Sequence, residues 1–364
     1  MPDLHKNRIA FFISSHGYGH AARAAAVMEA FHRVDPKREF EIFTEVPEWF
    51  FRHSLSGAFT YHPLLTDVGL VQESSLRTDL SKTLTRLDSF LPFPEQKIGE
   101  LAWLVSDRRC RLILCDISPM GILVAKQAGI PSLLIENFTW DWIYEQYVAE
   151  CAGLAAHLSY LGEIFRSADF HIQTQPVCRR QSAQLITSPV SRGARTPRVE
   201  TRQRLGIPPD ALVVMITMGG VPETYPFLDQ LKEIEDIVFL IPGAGNAASN
   251  TKNLFLLPHH SEYFHPDLVE ASDALIGKVG YSTLSEAYWA GIPFGYIARD
   301  DFRESPVLIS FIEKNMRGVA LSAREFAGGA FTSRLPDLFA LDRLERQGLN
   351  GAVQAAGFIA SLNP

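Results

Sequence analysis

Cysteine is scarce in this chain: four residues among 364, at positions 110, 115, 151 and 178, with no Cys-x-x-Cys pair. That excludes a disulfide framework and a thiolate metal site, and the four read as reduced, packing thiols of a cytoplasmic protein. A basic excess is lacking as well. With a formal net charge of -7 and a pI near 5.9, the chain has no field for a phosphate backbone, so nucleic acid is not an expected partner. No apolar run is long and pure enough to span a bilayer, and the N-terminal one stops at the polar Ser14, Ser15 and His16, short of a signal-peptide core. Peripheral contact with a membrane has no support in the sequence either. Low-complexity segments and repeats of solenoid period are absent, and the pair His259–His260 has no further ligand at metal spacing.

What is present describes a soluble α/β protein. Hydrophobic residues make up 46% and charged residues 21%, and the length exceeds that at which one core stops growing, so two domains are expected. In the first half, apolar runs alternate with helical stretches, at Ile9–Ser15, Phe40–Thr44, Leu112–Cys115, Ser132–Ile135 and Phe170–Gln173. That alternation implies a parallel sheet covered by helices. Residues 187–200 combine proline, glycine and arginine, show neither period, and read as a linker. Alternation then resumes through Leu212–Thr217, Val238–Ile241, Leu254–Leu257, Ala274–Ile276, Phe294–Ile297 and Val319–Leu321. The expected plan is a first domain over 1–186, the linker, a second domain over 201–343, and a tail over 344–364. The tail is expected to be helical from about Leu344 to Ser361 and to pack back toward the first domain.

The stretch Ile9–His20, IAFFISSHGYGH, leads an apolar strand into a helix through a turn holding two glycines and two histidines. Gly17 and Gly19 permit a sharp turn and close backbone approach to a ligand, Ala21, Ala22 and Ala24 add little bulk beside it, and His20 falls at the helix N-terminus. Taken alone, the same turn reads equally as a first βα connection with capping histidines. In the second half, Gly219 and Gly220 follow a strand, and Ile276–Thr283, IGKVGYST, runs into a helix containing Glu286. Lys278, Gly280 and the hydroxyls of Ser282 and Thr283 then meet at a positive helix end suited to a diphosphate, with Glu286 one turn further on for ribose hydroxyls. The alternative is that Ser282 and Thr283 cap the helix and Glu286 is a solvated acid. Trp140 and Trp142 flank Asp141 and read as sugar-stacking rings or as core anchors.

The segment 263–294, YFHPDLVEASDALIGKVGYSTLSEAYWAGIPF, resembles the donor-nucleotide region of GT-B glycosyltransferases, the group that includes the peptidoglycan N-acetylglucosaminyltransferase. More narrowly, HGYGHAAR (16–23), CDISP (115–119), ENFTWDWIYEQY (136–147), GKVGYSTLSEA (277–287), RDDFRESP (299–306) and NGAVQAAGFI (350–359) resemble the glycosyltransferase-like N-terminal half of plant L-arabinokinases and their bacterial relatives. The matches run in order through both domains. The resemblance implies a GT-B fold, with two Rossmann-like, doubly wound domains facing across a cleft, and a nucleotide-sugar donor, UDP-linked, held mainly by the second. Ser282 and Thr283 would fall at the diphosphate, Glu286 at the ribose, and Glu304 with Arg303 at the donor sugar. In the first domain, Gly17, Gly19 and His20 match the family's loop. There His20 and Asp116 would be catalytic, with His16 and Trp140 on the acceptor side. The peptidoglycan enzyme carries more glycines in this loop, so His16 and Tyr18 narrow the space. The likeness covers only the transferase-like half of the arabinokinases, so their sugar-kinase activity does not carry over.

The expected activity is transfer of a sugar from a nucleoside diphosphate to the hydroxyl of an acceptor that the sequence does not name. His20 takes the acceptor's proton, while helix dipoles and Lys278 stabilise the departing diphosphate. No Asp-x-Asp triplet occurs, so the usual metal clamp of GT-A transferases is missing, and neither metal nor cofactor is expected. Two other functions share the fold. One is a nonhydrolysing nucleotide-sugar epimerase, which needs further bases such as Asp116 or Glu136; the other is a catalytically idle nucleotide-sugar binding protein.

Overall fold

A computed structural model describes residues 8–74, 77–219, 224–245 and 248–364. The chain forms two compact units: one from the described residues up to Glu73 with Arg77–Val190 and Leu349–Pro364, the other from Ser74 with the described residues of Ser191–Gly348. The strands of the first are β1 (Arg8–Ile13), β2 (Glu39–Thr44) and β3 (Phe59–Pro63). After a short ribbon of β4 (Gln72–Ser74) and β5 (Arg77–Thr78) come β6 (Cys110–Asp116), β7 (Ser132–Glu136), β8 (Phe170–Thr174) and β9 (Leu185–Thr187). They pair in the order β3-β2-β1-β6-β7-β8-β9, all parallel. The second unit holds β10 (Leu212–Thr217), β11 (Ile237–Gly245), β12 (Ser249–Thr251), β13 (Leu254–Pro258), β14 (Ala274–Lys278), β15 (Phe294–Ile297) and β16 (Gly318–Leu321). Their order is β12-β13-β11-β10-β14-β15-β16, parallel except for β12 against β13.

The two orders share one property that positions the sites. In each sheet the first strand lies between strands wound in opposite directions, so the winding reverses between β1 and β6 and between β10 and β14. Ligands of doubly wound sheets bind outside the carboxyl ends of the strands at such a reversal. The central strands are legible because both their faces are covered. In β10, Val213 and Met215 enter one core while Val214 and Ile216 enter the other, which gives a continuous apolar run and no alternation.

Strands β3 and β9 were not anticipated. They lie at the two ends of the first sheet, each with a single neighbour; β3 mixes polar residues into a partly exposed run, and β9 is only three residues long. β1 stops at Ile13, two residues short of the expected end. The terminal helix is Gly351–Ser361, and the chain from Leu344 to Asn350 is not helical. There Leu344 N donates to Gly291 O at 2.8 Å within the second unit, and the Asn350 side chain caps the helix by accepting from Ala352 N at 2.9 Å. The helix then packs along α1 (Gly19–Val34), with Phe358 edge-on to Phe170.

Candidate active site

His20 and Asp116 meet at the reversal point of the first sheet. β1 ends at Ile13, the chain turns through residues 14–18, and α1 opens at Gly19, so His20 lies in the first helical turn and is 8% exposed. Gly17 has φ +73 with open space where a Cβ would stand, so the left-handed backbone, not lack of room, calls for glycine. Asp116 ends β6, the strand beside β1, and is followed by Ile117 at φ 46. A β-branched residue held there is strained by about 1–3 kcal/mol, immediately after the carboxylate that meets His20.

His20 Nδ1 lies 2.9 Å from Asp116 Oδ1. Arg23, one turn along α1, grips the same carboxylate: its Nε donates to Oδ2 at 2.8 Å and its Nη2 to Oδ1 at 2.6 Å, while Nη1 donates to Asn137 Oδ1 at 2.7 Å. At 1% exposure, this guanidinium is tolerated because it is paired and hydrogen-bonded in a bidentate fork. Burial pushes the Asp116 carboxyl up, but the charge and hydrogen bonds of Arg23, with those of His20, outweigh it and hold the group below its ordinary range. Burial drives the His20 imidazole below its ordinary value; Asp116 opposes the shift and Arg23 adds to it. An ionised Asp116 has no hydrogen to give, so its contact with Nδ1 requires Nδ1–H and leaves Nε2 as an acceptor.

A second buried carboxylate supports this cluster. Asp67 Oδ2 accepts from Trp140 Nε1 and Oδ1 from Ser14 Oγ, each at 3.0 Å. Trp140 is itself buried, 1% exposed, with its ring edge-on to the half-buried His16 at 5.2 Å and 6.3 Å from His20. Trp142 is buried as well, so both rings are packed into the unit. Burial, with the charge of Asp116 adding to it, raises the Asp67 carboxyl to about 7 against the pull of its two hydrogen bonds.

The second unit repeats the arrangement at its own reversal point. Gly219, at φ +76, follows β10, Lys278 ends β14, and a Cβ on Gly219 would stand 3.7 Å from Lys278 Cε. Gly220 lies outside the described residues. Gly280 is the N-cap of the helix Tyr281–Ala290, so Ser282 and Thr283 sit inside the first turn and do not cap it. The N–H groups of that turn have no intrahelical acceptor. Glu286 is 5% exposed and therefore not a solvated acid. Arg192 Nη2 donates to its Oε1 at 2.9 Å, His265 Nδ1 lies 2.7 Å from its Oε2, and these partners overcome burial to hold the carboxyl at about 2. Arg303 and the buried Glu304 follow β15, the strand beside β14, with Glu304 directly before the helix Ser305–Asn315.

The second unit thus gathers Gly219, Lys278, Gly280, Ser282 and Thr283 at one strand edge, whereas Glu286 turns to Arg192 and His265. Sequence reasoning did not single out Arg23, Asp67, Asn137, Arg192 or His265. Arg23 had a signal, since it follows His20 by three residues and so shares its helical face; Asp67 had none. Among the described residues no group of three or more His, Cys, Asp or Glu side chains is arranged to hold a metal ion, and no helix is long and apolar enough to cross a membrane.

No family model matches the chain. Among solved structures, it is similar to the glycosyltransferase of kitacinnamycin, with a TM-score of 0.65 and 15% identity over 98% of this chain and 99% of that one. A UGT transferase from Siraitia grosvenorii in complex with UDP gives 0.55 and 12%, over 99% and 100%. A protein assigned as a UDP-N-acetylglucosamine 2-epimerase from Listeria monocytogenes gives 0.53 and 13%, over 98% and 95%. The chain has the GT-B fold of the glycosyltransferases. Its sequence is similar to L-arabinokinase of Arabidopsis thaliana, 30% identical over 358 residues, which are 95% of this chain and 33% of that protein. The chain therefore spans about a third of the length of the curated relative it matches.

Asp67 generates a pH prediction. Its native carboxyl keeps a proton that the unfolded chain loses above pH 3.8, so stability falls as pH rises from there to about 7. Asparagine preserves both hydrogen bonds, accepting from Trp140 and donating to Ser14, but does not titrate. Urea unfolding across this window should show wild type losing about 1.4 kcal/mol per pH unit relative to Asp67→Asn. Parallel stability curves would show that Asp67 is ionised in the folded protein.

Proposed function

We propose that this chain is a glycosyltransferase that moves a sugar from a nucleoside-diphosphate donor, UDP-linked, to an acceptor hydroxyl without metal or cofactor. The observation that carries this reading is the His20–Asp116 pair at the reversal point of the first sheet, in a chain of GT-B fold. His20 Nε2 accepts the acceptor's proton as its oxygen attacks the anomeric carbon, and Asp116 holds the ring and its Nδ1–H tautomer. Lys278 and the first-turn N–H groups of Tyr281–Ala290 take the charge that develops on the departing diphosphate, in place of a cation. The remaining lone pairs of Glu286 serve the ribose, and Arg303 with Glu304 the donor sugar. The UDP bound to a neighbour of the same fold supports a UDP donor. The free cysteines suit a cytoplasmic setting. The kinase activity named for the Arabidopsis relative is not carried over, because the likeness spans a third of that protein.

The Listeria neighbour favours an epimerase as the second reading. That chemistry needs further acid–base groups, and the two candidates are engaged. Asp116 is gripped by Arg23, and Glu136 Oε1 meets both His171 Nε2 and Gln173 Nε2 at 2.8 Å. Transfer needs one base only.

Assayed with UDP-sugars and a panel of hydroxylated acceptors, His20→Ala should lower kcat by roughly 10²- to 10⁴-fold with donor affinity nearly unchanged by calorimetry. EDTA should leave turnover intact. A folded His20→Ala protein that transfers at wild-type rate removes the base, and turnover lost to EDTA and restored by magnesium removes the metal-free step. Epimeric donor formed without acceptor selects the epimerase, and donor binding with no turnover selects an idle binding protein.

A further inference from the structure

A histidine paired with a carboxylate alone makes a site of net charge -1, which becomes neutral when the ring takes a proton. Here the arithmetic differs, because Arg23 contributes +1 to the same buried cluster. With His20 neutral the cluster is neutral, and a proton on His20 leaves a net positive charge among groups that are nearly all out of water. The charged and titratable groups around His20 are Arg23 on its own helix, Asp116 on β6, Asp67 behind Trp140, and His16 on the preceding turn. Asp67, which could supply a second negative charge, is held neutral below about pH 7 by its own burial.

We propose that Arg23 sets the class of acceptor: by cancelling the charge of Asp116 it leaves His20 a weak base, suited to a hydroxyl that ionises readily, as on a phenol, and not to an alkyl alcohol. This rests on the transfer reading above. The acceptor O–H proton passes toward Nε2 and on to water. The oxygen bonds to the anomeric carbon, and the bond from that carbon to the diphosphate breaks, with its electron pair leaving on the nucleoside diphosphate. A base that holds a proton poorly assists most when the acceptor's own acidity supplies the driving force. Arg23 is thus a positioning residue: its guanidinium donates to the carboxylate and Asn137, and its Nη2 lies 3.2 Å from His20 Nδ1.

The test has two arms on the whole chain. In the first, ¹⁵N-histidine NMR follows the His20 ring, assigned by its loss in His20→Gln. Wild type should keep the neutral Nδ1–H form to a lower pH than an exposed histidine does. Arg23→Met should move protonation up by roughly one to three pH units, and Arg23→Gln, which keeps a donor to Asp116, serves if the methionine variant does not fold. In the second, UDP release from UDP-glucose is compared for substituted phenols and for alkyl alcohols of similar size. Wild type should prefer the phenols at least tenfold, and the Arg23 variants should narrow that gap. An unchanged His20 titration in the variants, or equal wild-type rates for the two acceptor types, overturns the proposal. No transfer to any acceptor alongside the expected titration shift overturns the acceptor class through failure of the transfer reading itself, leaving the charge effect of Arg23 intact.

Discussion

A buried guanidinium is the constraint on which the first unit's site depends. Arg23 satisfies three of its donor groups on Asp116 and Asn137, and without those acceptors its burial would cost several kcal/mol. Asp116 in turn stays ionised because Arg23 lies against it, and the ionised carboxylate fixes which nitrogen of His20 carries the hydrogen. Each of the three groups is comprehensible only through the other two. Their meeting follows from topology: α1 leaves the end of β1 and carries His20 and Arg23 on one face, β6 lies beside β1 and ends in Asp116, and β7 lies beside β6 and leads into Asn137.

The second unit handles charge differently. Its acid, Glu286, is neutralised from outside the turn of residues 277–283 by Arg192 and His265, while Lys278 stands beside Gly219 at the strand edge. Arg192 also lies over the ring of Phe264, the residue before His265, so packing and charge hold the same guanidinium. A carboxyl held at about 2 stays ionised, so its hydrogen-bond acceptors do not change over the working pH range.

Much of the fold was legible in the sequence, because its central strands are apolar on both faces and are separated by turns rich in glycine. The edge strands β3 and β9 were not, since FTYHP mixes polar residues into a partly exposed run and LIT is only three residues long. The terminal helix was anticipated too long at its start, because residues near Leu344 are held by Gly291 and not by a helical ladder. Local motifs carry His20 and Lys278, and the resemblance of residues 115–119 carries Asp116, but the contact of His20 with Asp116 shows only in the fold. The partners of Glu286 could not be read from the sequence, for Arg192 lies 94 residues away and no local pattern ties the two. Asp67 lies in a loop with no periodicity, and only the folded chain shows that Ser14 and Trp140 converge on it.

In the proposed function, the strand-edge turn of the second unit, with Lys278 beside Gly219, holds the diphosphate of a nucleotide-sugar. Calorimetric titration of UDP into the wild-type chain and into Lys278→Met tests it most directly. Saturable binding with one UDP per chain, weakened at least tenfold in the variant while its thermal unfolding stays close to wild type, is the expected result. UDP binding of equal strength in both proteins, or none in either with any nucleoside diphosphate, would contradict it.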